Sequence, residues 1–230
     1  VCVQGAFGAL TVTMKLFPVI VTLHLFGGLA LLALLCVQAV RHQQAAQAQA
    51  PARLSAGLRW GLWSVSVLVV AQVLLGGWVS TNYAVLACSD FPMCQGRWWP
   101  DMQFAQGFSV WRALGEASDG SAIPFAALTA IHYTHRLGAY VVFSGLAVLV
   151  WRLARAGALA SQARWLAALA LWQFVTGLSN VVLDWPLVAA VSHTGGAAAL
   201  VVVLTWALSA SRGAEAPARA ACSPSSRLSA

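Results

Sequence analysis

The sequence predicts an all-α protein whose helices cross a membrane several times, a polytopic transmembrane helical bundle. Residues of the set AVILMFWYC make up 60% of the chain and charged residues only 8%, a balance far from that of soluble domains. The apolar residues fall into runs of about 20, the length that a helix needs to cross the hydrocarbon core. Five such runs with so few charges disfavour the alternative of a soluble all-helical core.

The spans follow one another in a simple order along the chain. Residues 1–13 are predicted to be the end of one span, because the chain begins without methionine inside an apolar run. We therefore expect a fragment that lacks its start, and we identify no signal peptide in it. Five complete spans are predicted over 18–40, 58–80, 124–150, 163–183 and 187–208.

Arginines mark one set of helix ends and so predict the orientation. By the positive-inside rule these ends face the cytoplasm, and the long loop 81–122 lies on the outer side. Because the arginines are spread over three segments, we attribute the net charge of +7 to them and expect no nucleic acid partner. The arginines concerned are Arg41, Arg53, Arg59, Arg152, Arg155, Arg164, Arg212, Arg219 and Arg227.

Three histidines lie inside the predicted spans, at similar depth below the outer face: His24, His135 and His193. Ionisable side chains in a span are costly and usually mark a functional site, and imidazole is the commonest ligand for a metal or haem iron. Zinc usually takes four protein ligands, and no buried carboxylate or cysteine is predicted beside these histidines. A haem with two axial histidines fits better, and His135 with His193 is the natural pair.

Two neighbours of His135 allow more than one interpretation. Arg136 either points outward to pair with a haem propionate or marks the membrane interface, with its stem snorkelling. His132 lies one turn before His135 on the same face, as a second ligand, a proton relay or an interfacial histidine with its hydrogen bonds satisfied, and the last two are favoured over ligation.

An internal repeat links the two ends of the chain. Residues 8–12 resemble residues 177–181, and in each copy a proline then opens the next helix. A histidine follows that proline by six or seven residues, roughly 9–11 Å down the helix, and is itself followed by a pair of glycines. The matching order indicates a duplication, which places His24 where the other copy has His193.

A pair of cysteines lies in the outer loop. Cys88 and Cys94 are six residues apart, on the side of the membrane that is oxidising. They are interpreted either as a structural disulfide that closes a tight loop or as a redox pair that exchanges electrons or thiols.

Taken together, the segments TVTMKLFPVIVTLHLFGG, LGGWVSTNYAVLACSDFPMCQG, IHYTHRLGAY and TGLSNVVLDWPLVAAVSHTGG resemble the haem A synthase family over most of residues 1–210. The resemblance implies a duplicated 4+4 eight-helix bundle, of which this chain holds the last five helices and part of a sixth. Residues 1–40 would be the remnant of the N-terminal half, 41–57 a cytoplasmic linker and 58–211 the C-terminal half. The polar composition of 212–230 predicts a disordered cytoplasmic tail.

The same resemblance implies an activity and a set of site residues. The family oxidises a ring methyl group of haem O to a formyl group, which gives haem A for terminal oxidases. His135 and His193 would bind the iron of a haem b cofactor, with Arg136 beside it. His24 would bind the substrate haem of the other half, and Cys88 with Cys94 would be the external cysteine pair.

The family's proposed catalytic glutamate, its other His-Arg motif and the other cysteine pair would precede Val1. No residue of this chain is therefore assigned as catalytic, and the fragment alone is expected to be inactive although the full-length protein is an enzyme. The expected location is the bacterial cytoplasmic membrane, with the haem sites toward the outer face. Haem O synthase, terminal oxidase assembly factors and a second copy of the chain are the partners to consider.

Two alternatives from other classes stay open. The first is an electron-transfer membrane protein that holds haem b between two histidines and has no biosynthetic role, of the cytochrome b type. The second is a transporter or assembly factor whose histidines gate protons, which would show no haem spectrum. Sequence upstream of Val1 would discriminate the synthase from the cytochrome b type protein: a glutamate three residues before a His-Arg pair, on a helix preceded by a cysteine pair, would favour the synthase.

Overall fold

The computed structural model describes residues 1–212, which form an all-helical bundle; most of the tail predicted over 212–230 lies outside the described residues. The helices are α1 Cys2–Thr13, α2 Pro18–Ala46, α3 Ala56–Thr81, α4 Phe104–Gly107, α5 Phe125–Arg155, α6 Ala160–Val182 and α7 Leu187–Ala210, with a 3-10 turn at Ala84–Ala87. Five of them, α2, α3, α5, α6 and α7, are long and apolar enough to cross a membrane. The prediction of a polytopic helical membrane protein is confirmed.

The largest difference from the predicted spans is at the end of α2. This helix continues past Val40 to Ala46, so the connector predicted over 41–57 is helical at its beginning and again from Ala56. Arginine, glutamine and alanine, which dominate the added stretch, are good helix formers, and a polar sequence leaves the membrane without having to leave the helix.

Local sequence explains where the membrane helices begin. Pro18 occupies the first turn of α2, and Pro124 and Pro186 directly precede α5 and α7. Proline suits these positions because the first N–H groups of a helix have no partner within the helix. The start of α3 is capped instead by Ser55, whose Oγ accepts a hydrogen bond from the backbone N–H of Leu58.

Helices α3, α5, α6 and α7 pack as a four-helix ring. In this ring α3 and α6 each contact both α5 and α7, whereas α5 and α7 are not direct neighbours within residues 1–212. Helices α5 and α7 therefore occupy opposite corners. The apolar core of the ring lies toward the end that bears the arginines, and its fully buried side chains include Leu62, Leu146, Leu153, Leu166 and Leu204.

The other end of the ring, called the loop end below, is covered by residues 82–124. The short helix α4 packs against α5 so closely that a Cβ on Gly107 would lie 2.7 Å from the backbone oxygen of Ala127. The indole Nε1 of Trp78 donates to the backbone oxygen of Gly107 at 2.9 Å. The loop also reaches α2, because the rings of Trp111 and Phe17 are 4.9 Å apart.

Large apolar side chains cover the outside of the bundle. Leu34, Val67, Val148 and Leu171 are each more than half exposed. Such a surface would be unfavourable in water but is matched to lipid tails, so the burial pattern agrees with the membrane assignment.

Candidate functional site

The three membrane histidines lie at corresponding places near the loop end. His24 is in the second turn of α2 and His193 in the second turn of α7, while His135 is in the third turn of α5. All three are partly buried. At 1.5 Å per residue, His24 and His193 lie about 9 Å below the first residues of their helices.

His135 and His193 lie on the opposite corners α5 and α7 of the four-helix ring. His135 contacts α3 through Gln72, and His193 contacts α6 through Thr176. His24 is placed elsewhere, since α2 contacts α1, α3 and α7 but not α5 in the described part of the chain. Two of the histidines therefore lie on helices of the four-helix ring, and the third lies on a helix outside it.

Each histidine is held by a glutamine on a neighbouring helix, which sequence reasoning had missed. The amide Nε2 of Gln72 lies 3.0 Å from Nδ1 of His135 and donates to the backbone oxygen of His135 at 2.8 Å. The amide Nε2 of Gln4 makes the same two contacts with His24, at 3.0 Å and 2.6 Å.

The third copy divides the two contacts between two residues. Nε2 of Gln173 donates to the backbone oxygen of His193 at 2.8 Å, and the Thr176 hydroxyl lies 3.0 Å from Nδ1 of His193.

A sequence signal for the three glutamines did exist. The pattern Gln-x-x-x-Gly occurs at 4–8, 72–76 and 173–177, once on each helix that faces a histidine.

The glycine of each pattern lies against an imidazole ring. A Cβ built on Gly8, Gly76 or Gly177 would lie 3.2, 3.0 or 3.1 Å from Cε1 of its histidine. Any larger residue would therefore push the ring, and glycine lets the helix backbone form one wall of the histidine site.

The duplication inferred from the sequence is visible in the backbone of the two hairpins. Lys15 and Leu16 precede His24 by nine and eight residues and have positive φ, as do Asp184 and Trp185 at the same spacing from His193. Both turns are closed by the same hydrogen bond, from Leu16 N to Thr11 O and from Trp185 N to Asn180 O. In this register the glutamine precedes its histidine by 20 residues in both copies.

Cys88 and Cys94 meet within the loop. Their Cα atoms are 4.8 Å apart, inside the range that a disulfide requires, and their sulfur atoms are within bonding distance. Both side chains are fully buried, against Tyr133 and Met102. A pair buried in this way is poorly accessible to another thiol.

Arg136 contacts this cysteine loop. Its Nη1 donates to the backbone oxygen of Met93 at 2.7 Å and to that of Asp90 at 3.0 Å. The residue is only 7% exposed. These contacts go beyond the simple snorkelling considered from the sequence. They hold the loop on α5, whereas the expected contact with a haem propionate stays a prediction.

The Asp90 side chain is part of the same loop. Backbone N–H groups of Gly96 and Gln95 donate to its carboxylate at 2.8 and 2.7 Å. These bonds, with a smaller contribution from the charge of Arg136, lower the pKa of Asp90 below its ordinary value.

His132 is buried beneath the loop, and its Nδ1 lies 3.1 Å from the backbone oxygen of Ala84. This contact agrees with the interfacial histidine considered from the sequence.

Arg112 is a buried loop residue that sequence reasoning had missed. It donates to Asn82 Oδ1, lies 5.7 Å from the centre of the Trp78 ring, and has its pKa lowered by burial.

The donor set at the ring fits a haem better than a metal held by protein ligands alone. In the part of the chain that the structure describes, no group of three or more His, Cys, Asp or Glu side chains could hold a metal ion. A porphyrin supplies four nitrogens and needs only two axial ligands, which two imidazoles on opposite helices provide. Two further observations agree with a ligand site. A glycine lies against each imidazole ring, and Oε1 of Gln72, beside His135, is buried without a hydrogen-bond partner.

Comparison with known proteins gives a consistent match. The family model COX15-CtaA, described as a cytochrome oxidase assembly protein, matches residues 1–205. The chain is 38% identical to the heme A synthase of Shewanella oneidensis over 201 residues, 87% of this chain and 61% of that protein. It is 29% identical to the heme A synthase of Methylobacterium radiotolerans over 219 residues, 91% of this chain and 56% of that protein. The chain thus spans about six-tenths of the length of these curated relatives.

Proposed function

Because this chain belongs to the COX15-CtaA family of cytochrome oxidase assembly proteins, we propose that the complete protein is a heme A synthase. It is then a membrane oxidoreductase that oxidises a methyl group of haem O to a formyl group. The observation that carries the proposal is the family match over residues 1–205, a stretch that contains all three membrane histidines and the cysteine pair.

The division of labour follows from the two kinds of histidine site. We assign residues 1–40 to the N-terminal half, 41–57 to the linker and 58–211 to the C-terminal half. In the C-terminal half, His135 and His193 would hold the iron of a haem b cofactor. Held by two histidines, that group would supply one-electron transfer, because no position on the iron would be left open for another ligand.

His24 would serve the other half, at the substrate haem. Support comes from the backbone register, in which His24 corresponds to His193 and has the same glutamine and glycine neighbours. The carboxylate expected to take part in the oxidation is not assigned to any residue of this chain.

Cys88 and Cys94 are assigned to a structural disulfide. Their complete burial disfavours the redox alternative, because thiol exchange needs an accessible sulfur. The closed loop presents its backbone oxygens to Arg136, and we keep a haem propionate as a second partner for that guanidinium.

The proposed location is the bacterial cytoplasmic membrane, with the loop end and both haem sites toward the outside. The arginines at the opposite helix ends support this orientation. Haem O synthase would supply the substrate and terminal oxidase assembly factors would receive the product. The cytochrome b type alternative is not favoured, since the relatives reported above are heme A synthases.

Production of haem A by the full-length protein tests the proposal. We expect cells that make haem O but lack any other heme A synthase to accumulate haem A when they express the full-length protein. Extracted haems would be separated by chromatography and identified by mass. Haem O with no haem A, in membranes that contain the folded protein, would contradict the proposed activity.

A further inference from the structure

The three glutamines on neighbouring helices make contacts that go beyond helix packing. We propose that Gln72, and the pair Gln173 and Thr176, are positioning residues that fix the ring orientation and the protonated nitrogen of the two haem-ligating histidines. This inference rests on the proposed function, because it assumes that His135 and His193 bind haem iron.

The chemistry of ligation creates the need for such a partner. A neutral imidazole that binds iron through Nε2 carries its proton on Nδ1, and this N–H then requires an acceptor in an apolar span. The Gln72 amide lies 3.0 Å from Nδ1 of His135, within hydrogen-bonding distance. Within this side chain only the amide oxygen Oε1 can act as that acceptor, because Nε2 is a donor and donates to the backbone oxygen of His135.

The unpartnered amide oxygen of Gln72 shows how it can act. Oε1 is buried without a hydrogen-bond partner, while Nε2 faces Nδ1 of His135. A half-turn of the amide exchanges the two atoms, so that Oε1 accepts the Nδ1 proton and the bond from Nε2 to the backbone oxygen of His135 is given up. Iron binding through Nε2 would thus give the buried Oε1 a partner in exchange for that backbone contact.

At His193 the acceptor is a hydroxyl. Thr176 lies 3.0 Å from Nδ1 of His193 and can accept its proton, while Gln173 holds the backbone oxygen. At His193 the backbone contact and the contact with Nδ1 thus come from two different side chains, and accepting the proton does not require the backbone contact to break.

A glycine on each histidine helix leaves space for the glutamine amide of the neighbouring helix. Gly27, Gly138 and Gly196 each follow their histidine by three residues, and a Cβ there would collide with the amide of Gln4, Gln72 or Gln173. The pattern Gln-x-x-x-Gly on one helix thus pairs with His-x-x-Gly on the next. Its occurrence three times makes a fortuitous contact at any single histidine a poor explanation.

The midpoint potential of the bound haem b provides the test, measured in the purified full-length protein. A stronger acceptor at Nδ1 makes the imidazole a better donor and stabilises ferric iron, whereas its loss does the opposite. We expect Gln72→Leu to raise the potential and weaken haem binding about 10- to 100-fold. Gln72→Glu should lower the potential, and the nearly isosteric Thr176→Val should raise it.

Gln44→Leu is the matched control. Gln44 is also buried and also has an unpartnered Oε1, but it lies at the arginine end of α2, and its Nε2 contacts Ala210 O. Its replacement should leave the potential and the haem spectrum unchanged. A purely structural role for Gln72 would instead alter stability alone, in the same direction for the leucine and glutamate variants.

The outcomes separate this inference from the proposed function. Unchanged potentials in Gln72→Leu, Gln72→Glu and Thr176→Val would overturn the inference alone, with haem b still bound in each protein. If the Gln72 variants fail to fold, an unshifted potential in Thr176→Val is sufficient to overturn it. Wild-type protein without low-spin haem would overturn the proposed function and this inference together.

Discussion

At the scale of single residues, the histidine rings are sensitive to one methyl group. A Cβ on Gly76 would lie 3.0 Å from Cε1 of His135, whereas a Cβ on Gly61 of the same helix would lie 3.7 Å from Cδ1 of Leu149. The first contact forces the ring to move and the second is an ordinary van der Waals contact. Overpacking in a tight site typically costs about 1–3 kcal/mol.

We therefore expect Gly76→Ala to reduce haem b content and low-spin character in the full-length protein, and Gly61→Ala to leave both intact. Absorption spectra and haem-to-protein ratios of the two purified variants would be compared. Equal haem content in the two would show that the close approach of Gly76 is not needed for ligation.

The Asp90 carboxylate gives the cysteine loop a defined pH dependence. Its pKa is lowered in the folded state, so its contribution is fully present above the unfolded value of about 3.9 and is lost as the pH falls through the folded value. We expect the amides of Gln95 and Gly96 to lose hydrogen-exchange protection, corrected for intrinsic rates, when the pH is lowered across this window. The effect should be modest, because the carboxylate is solvent-exposed and screened.

Asp90→Asn is the control for that measurement. The amide side chain carries no titrating charge, so protection of Gln95 and Gly96 should be weaker at neutral pH and nearly independent of pH. Full wild-type protection retained below the folded pKa would be inconsistent with a stabilising carboxylate.

At the scale of elements, the loop and the histidine helices have separable roles. The cysteine pair stabilises residues 88–94, whereas His135 and His193 are held by α3 and α6. Replacing Cys88 and Cys94 with serine should therefore loosen the loop and leave haem b bound. Non-reducing mass spectrometry would show the bridge in the wild type, and hydrogen exchange would report the loosening.

Free thiols at both positions, in protein purified from an oxidising compartment, would contradict the proposed bridge. Loss of haem b in the serine variant would instead show that the loop and the ligand site are coupled through Arg136, whose guanidinium binds the loop oxygens.

Also at this scale, the hairpins α1–α2 and α6–α7 are two copies of one design. They share the positive-φ pair, the closing hydrogen bond and the glutamine, although Pro18 and Pro186 differ by one residue in register. The turn geometry therefore defines the repeat better than the prolines do, because the backbone conformation determines where the second helix starts.

At the scale of the whole molecule, the two halves should be functionally distinct. His24 lies on α2, outside the four-helix ring, and α2 does not contact the helix of His135 in the described residues. In the full-length protein, His24→Ala should lower haem A output strongly while the haem b spectrum persists. His135→Ala and His193→Ala should each abolish that spectrum.

Haem extraction and absorption spectra of membranes carrying equal amounts of each variant would decide this. Normal haem A output from His24→Ala would contradict the proposed role of His24 at the substrate haem. An unchanged low-spin spectrum in both His135→Ala and His193→Ala would remove the axial assignment.

The sequence alone was sufficient for the membrane class, the five spans and the three candidate histidines. These properties depend on local composition, because an apolar run of sufficient length is stable in the hydrocarbon core whatever the rest of the chain contains. The cysteine pair and the internal repeat could also be recognised, since both depend on short spacings.

The contacts that define the histidine sites were decided only by the tertiary structure. Gln72 and His135 are 63 residues apart, and their contact depends on how α3 packs against α5. The loop partners of Arg136 are likewise more than 40 residues away from it. Hydrogen bonds inside a span depend on which polar groups packing brings together, and hydrophobic periodicity carries no information about those pairs.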